Sequence, residues 1–126
     1  MELSAAVKSD LLQSKSRWYQ DWSYWIENNI LDFVVVMNYA ASNDEFINKM
    51  RIIDENIFTD NLNKKIIMGI SLYNQNQSSV ADKIILTNLS GYDRICFFSY
   101  NSIKNKKNIL NSIRLFYNKK ENILGE

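Results

Sequence analysis

Polar and aromatic groups recur at matching places in this chain, each just after a short apolar run: Lys8, Ser9 and Asp10, then Asn38 and Tyr39, then Ser71 and Tyr73, then Ser99, Tyr100 and Asn101. A surface built from such groups suits a sugar, because a tyrosine or tryptophan offers a flat apolar face for the ring and a polar tip for a hydroxyl. Tyr39, Tyr73 and Tyr100 hold equivalent positions after three of the runs; each could line a cleft or simply finish a core. Hydrolysis of a glycosidic bond needs two carboxyl groups roughly 5 to 9.5 Å apart. Only Asp10 and Asp21 fall on the expected side, and Asp21 is equally placed to cap a helix. No glutamate follows an apolar run, so a convincing acid and base pair is absent.

The runs that must position these groups are Leu3 to Val7, Phe33 to Met37, Ile66 to Ile70 and Ile95 to Phe98, at intervals of roughly 30 residues. Apolar residues at helical spacing follow each run. Trp22, Trp25 and Ile26 form one stripe after Asp21, and Phe46, Ile47, Met50, Ile53 and Ile57 form a second in a helix opening at Asn43 or Asp44. Val80, Ile84 and Leu89 make a third, capped by Ser78 or Ser79 and ended by Gly91; Ile109, Leu110, Ile113, Leu115 and Phe116 make the last. The polar stretch 8–16 is expected to be a loop. This alternation predicts an α/β fold: four consecutive βα units, parallel strands with helices outside, forming half of a (β/α)8 barrel. In that architecture chemistry sits at the carboxyl ends of the strands. The strands are expected to be buried on both faces, and another part of a barrel would have to cover the inner one. Residues 1–118 form the half-barrel in this reading, and 119–126 a frayed tail.

Composition narrows the function classes. The chain has 126 residues, 46% hydrophobic, with 15 basic and 14 acidic side chains, a balance that gives no electrostatic footprint for nucleic acid. It contains no histidine, which removes the usual general base and metal ligand, and a single cysteine, Cys96, so neither a disulfide nor a zinc cluster forms within it. No glycine-rich phosphate loop or nucleotide fingerprint occurs. Neither metal nor cofactor is therefore expected. No stretch has the length of a membrane span, and the start lacks the pattern of a secretory signal, so the chain as it stands is expected in the cytoplasm. A core-type strand so soon after Met1 leaves no room for earlier barrel strands, as in one portion of a larger protein.

The stretch YQDWSYWIENNILDFVVVMNY (19–39) resembles the bacterial glycosyl hydrolase-like 10 family, in which a Gln-Asp-Trp segment, a second Trp three residues on, an apolar strand and a terminal Asn-Tyr or Gln-Tyr follow in that order. The segments LSAAV, IIMGISLY and GYDRICFFSYNSI are similar to its neighbouring strands. The resemblance implies the C-terminal half of a (β/α)8 barrel that acts on glycan, some members remodelling peptidoglycan, and members are often exported or found at the cell envelope. Carried over by position, Gln20, Asp21, Trp22, Asn38, Tyr39 and Tyr100 would line the cleft, with Asp21 the one candidate for catalysis. Val36 and Met37 stand where the family usually has a proline. Its first-half strands, with the acidic segment expected to supply catalysis, have no counterpart.

The expectation is thus a substrate-binding wall for a carbohydrate, catalytically incomplete alone, whose partner is the missing barrel half or a second copy of the chain. Two further readings remain open: a non-catalytic, doubly wound interaction or signalling domain, and a half-barrel that assembles with itself.

Overall fold

The computed structural model describes residues 1–57, 62–98, 111, 113–115, 117 and 118. Tyr100, the expected last-helix residues Ile109, Leu110 and Phe116, and the tail 119–126 lie outside the described residues. The elements run β1 (Ser4–Lys8), α1 (Leu11–Arg17), α2 (Trp22–Glu27), β2 (Phe33–Asn38), α3 (Asn43–Asn56), a 3-10 turn (Leu62–Lys65), β3 (Ile66–Ser71), α4 (Gln77–Leu89) and β4 (Ile95–Phe98).

All four strands pair in parallel in the order β1-β2-β3-β4, so this is a parallel α/β fold with an open sheet. Parallel crossovers are almost always right-handed, and a strand order that never reverses then puts every crossover helix on the same face. A doubly wound sheet reverses its order at a switch point; this one does not. The arrangement fits half of a βα barrel.

Register and burial agree with one covered face. Val7 pairs with Val36, and Val34, Val36 and Asn38 pair with Ile66, Met68 and Ile70. These side chains are buried together with Trp22 and Ile26 of α2, Phe46, Met50 and Ile53 of α3, and Val80 and Ile84 of α4. The alternate positions, Phe33, Val35, Met37, Ile67, Cys96 and Phe98, point to the other face and are half-buried, where burial on both faces was expected. Continuous apolar runs concealed this difference, because both faces of β2 carry apolar side chains.

The helices are held by local devices. Ser42 accepts from Glu45 N at 3.2 Å and caps α3, whose first turn carries Asp44 and Glu45 where the helix dipole favours them. Asn76 caps α4, accepting from Ser79 N at 2.9 Å, so the cap lies two or three residues before the expected Ser78 or Ser79. Gly91 follows at φ +92°, a conformation open to glycine, and returns the chain toward β4. Tyr92 is fully buried there and donates to Asp54 Oδ1 at 2.5 Å, fastening the α4–β4 connection to α3. Leu89, expected inward, is exposed at the end of α4, and Ile47 on α3 is partly exposed.

The segment after β1 differs most from expectation. Asp10 accepts from Gln13 N at 3.0 Å and starts the short helix α1 within what was expected to be loop. Ser14, buried on α1, donates to Asp10 O at 2.6 Å. At the opposite, amino-terminal end of the sheet, Asp32 Oδ2 accepts from Leu3 N at 2.7 Å and sets the β1–β2 register.

Candidate functional site

A cleft of about 370 Å³ opens at the carboxyl ends of β1 and β2, lined by Lys8, Ser9, Asp10, Trp18, Met37, Tyr39 and Lys49. Lys8 and Met37 are register partners on the half-buried face, and Tyr39 continues that face two residues on. Trp18 sits at the end of α1, with Lys8 Nζ 5.5 Å and the Arg17 guanidinium 5.3 Å from its ring centre. The cations and the negative face of the indole hold one another.

Tyr39 is the centre of an aromatic rim. Its ring stands edge-on to exposed Tyr73 at 6.2 Å and tilts against Phe98 at 5.2 Å. Phe98 comes from β4 and reaches β2 across β3, where Gly69 leaves room: a Cβ on Gly69 would lie 3.2 Å from Phe98 Cε2. Burial lifts the Tyr39 hydroxyl above its usual pKa of 10.0, with Cys96 and Tyr73 adding to the effect. It is therefore a neutral hydrogen-bonding group at pH 7.

A buried lysine ties the two loops that carry this rim. Lys83 of α4, with no exposed surface, donates to Ala41 O at 2.8 Å and to Gln75 Oε1, and stands 5.7 Å from the Phe46 ring centre. Gln75 in turn donates to Ser71 O, and Asn74 Nδ2 donates to Tyr39 O at 3.0 Å. The β2–α3 and β3–α4 loops are thereby linked to one another and to the strand ends. Burial pulls the Lys83 pKa below 10.5, only partly opposed by Asp82.

The other residues singled out in the sequence take different places. Gln20 Oε1 accepts from Lys8 N at 3.0 Å and holds the end of β1. Trp22 is fully buried, and its Nε1 donates to Lys8 O at 3.2 Å. Asp21 stands at the start of α2 without a capping hydrogen bond and faces Lys15 Nζ at 3.7 Å. Asn38 lies on the helix-covered side of β2, where Nδ2 donates to Phe46 O at 3.1 Å and Oδ1 is buried without a hydrogen-bond partner. Gln20 and Trp22 thus brace the strand that carries Lys8 into the cleft. Trp18 and Lys49 were not anticipated; an indole at the edge of the aromatic cluster was the available sign of the first, and nothing in the sequence marked the second.

No family model and no curated protein matches this chain. Among the described residues no three His, Cys, Asp or Glu side chains are grouped to hold a metal ion. No helix among them is long and apolar enough to cross a membrane. Among the described residues Asp10 is the sole carboxylate lining the cleft, and it is engaged at the start of α1.

Proposed function

We propose that this chain is a carbohydrate-binding wall of a glycoside hydrolase-like barrel and does not cleave glycan by itself. The observation that carries this reading is the cleft at the strand ends, where Trp18 and Tyr39 supply flat faces and Ser9, Asp10 and the Tyr39 hydroxyl supply polar contacts. Its volume lies within the range of small-molecule sites. Tyr73 extends the aromatic rim beyond it. The resemblance of residues 19–39 to glycosyl hydrolase-like 10 proteins points to the same substrate class.

A single lining carboxylate among the described residues argues against autonomous hydrolysis, which takes an acid and a second carboxylate acting as base or nucleophile. Tryptophan fluorescence and calorimetric titration with short oligosaccharides test the reading. Saccharide binding weakened at least tenfold by Tyr39→Ala, with no release of reducing ends, is the expected result. Absence of saccharide binding, or sustained cleavage by the purified chain, refutes it.

A second element of the reading concerns the uncovered side of the sheet. Phe33, Val35, Met37, Ile67 and Phe98 present a half-buried apolar face, which in a closed barrel is covered by four more strands. The other barrel half or a second copy of this chain would supply them. Sizing over a range of concentrations separates these: a concentration-dependent dimer supports the second copy, and a strict monomer removes it.

A further inference from the structure

We propose that the saccharide this cleft takes is acidic, carrying a carboxylate or phosphate that Lys8 and Lys49 receive; the inference rests on the carbohydrate-binding reading above. Among the described residues two ammonium groups line the cleft against a single carboxylate, Asp10. That carboxylate is already partnered, since Oδ1 accepts from Gln13 N at the opening of α1. Lys49 makes no ion pair with any described carboxylate, and Lys8 has an indole for its neighbour rather than an acid. Arg17 adds a third cation beside the cleft, over the same Trp18 ring. Asp21 at the start of α2 faces Lys15, and Glu45, one helical turn before Lys49, forms no ion pair with it.

Among the described residues the cleft therefore carries two positive charges against one negative, next to an aromatic face. A neutral sugar would use the rings and could offer the ammonium groups only hydroxyl acceptors, without an opposite charge. A sugar bearing an anionic group would use both, with the ring against Tyr39 or Trp18 and the anion between the lysines. A salt-sensitive preference follows, because partly exposed charges are screened over about 10 Å at 0.1 M ionic strength.

The test is calorimetric titration of the full chain with matched pairs: a galacturonic acid tetramer against its methyl ester, and a hyaluronan tetramer against chitotetraose, with inorganic phosphate alone as a further arm. The acidic member of a pair is expected to bind about tenfold tighter at low salt. The gap should narrow as salt is raised and close in Lys49→Gln and Lys8→Gln, which spare the backbone contacts of Lys8 with Gln20 and Trp22. Equal binding of both members overturns this inference and leaves the carbohydrate reading standing. Binding of phosphate with no saccharide of either kind, or no binding at all, overturns both.

Discussion

Replacing Gly69 with alanine tests how closely β2 and β3 approach and how the aromatic rim is assembled. In an ordinary strand the exchange stabilises by about 0.5–1 kcal/mol, because glycine loses more conformational freedom on folding. Here the added Cβ would stand 2.7 Å from Val36 O as well as 3.2 Å from the Phe98 ring. The carbonyl cannot retreat without pulling on the β2–β3 ladder, in which Val36 is paired with Met68. Overpacking of this kind costs about 1–3 kcal/mol, so the net change is a destabilisation centred on about 1 kcal/mol and spanning roughly 0–2.5 kcal/mol. Urea unfolding followed by tryptophan fluorescence and by far-ultraviolet circular dichroism measures it, with the m-value unchanged if only stability moves. Adding Phe98→Ala removes the softer of the two collisions and leaves the backbone one, so the double variant should not regain the stability of the single Phe98→Ala chain. A Gly69→Ala protein more stable than the parent, as in an ordinary strand, would refute the close approach.

Two further outcomes follow from side chains that fasten the helices. Tyr92, held neutral by burial and by its bond to Asp54, has its pKa pushed well above 10.0. Above pH 10 the unfolded chain releases that proton while the folded chain keeps it, so stability should fall as pH rises past 10. Tyr92→Phe should cost about 1.5–3 kcal/mol near neutrality and flatten that alkaline decline, as read by denaturant titration at successive pH values. Ser42→Ala removes the cap of α3 and should cost about 1 kcal/mol, whereas Ser78→Ala, beside a cap supplied by Asn76, should change thermal stability little.

The strands were readable from sequence because β-branched and aromatic runs such as Phe33 to Met37 are long enough to be recognised and are set apart by helical stripes. The orientation of each strand was not readable. Phe33, Val35 and Met37 are as apolar as Val34 and Val36, so alternation is lost where an inner barrel wall meets a helix-covered one. The short α1 escaped notice because its one buried residue is Ser14, which leaves no apolar stripe to detect. Missing α1 meant missing Trp18, since it is that helix which brings the indole back beside Lys8. Tyr39 and Tyr73 could be placed near each other because equivalent positions after neighbouring parallel strands converge. Gln20 and Trp22 carry side-chain chemistry suited to a ligand, yet their bonds to Lys8 depend on a tertiary approach that spacing does not encode.

The uniform order of the sheet also bears on how the chain acquires its shape. Ser4 pairs with Phe33, Val34 with Ile66, and Met68 with Ile95, so among the described strands every ladder joins neighbours in sequence and none joins β1 to β4. Loop-closure entropy grows only slowly with length, and each closure here spans a similar stretch of chain. Assembly of these strands can therefore proceed unit by unit, each strand adding to a neighbour already in place.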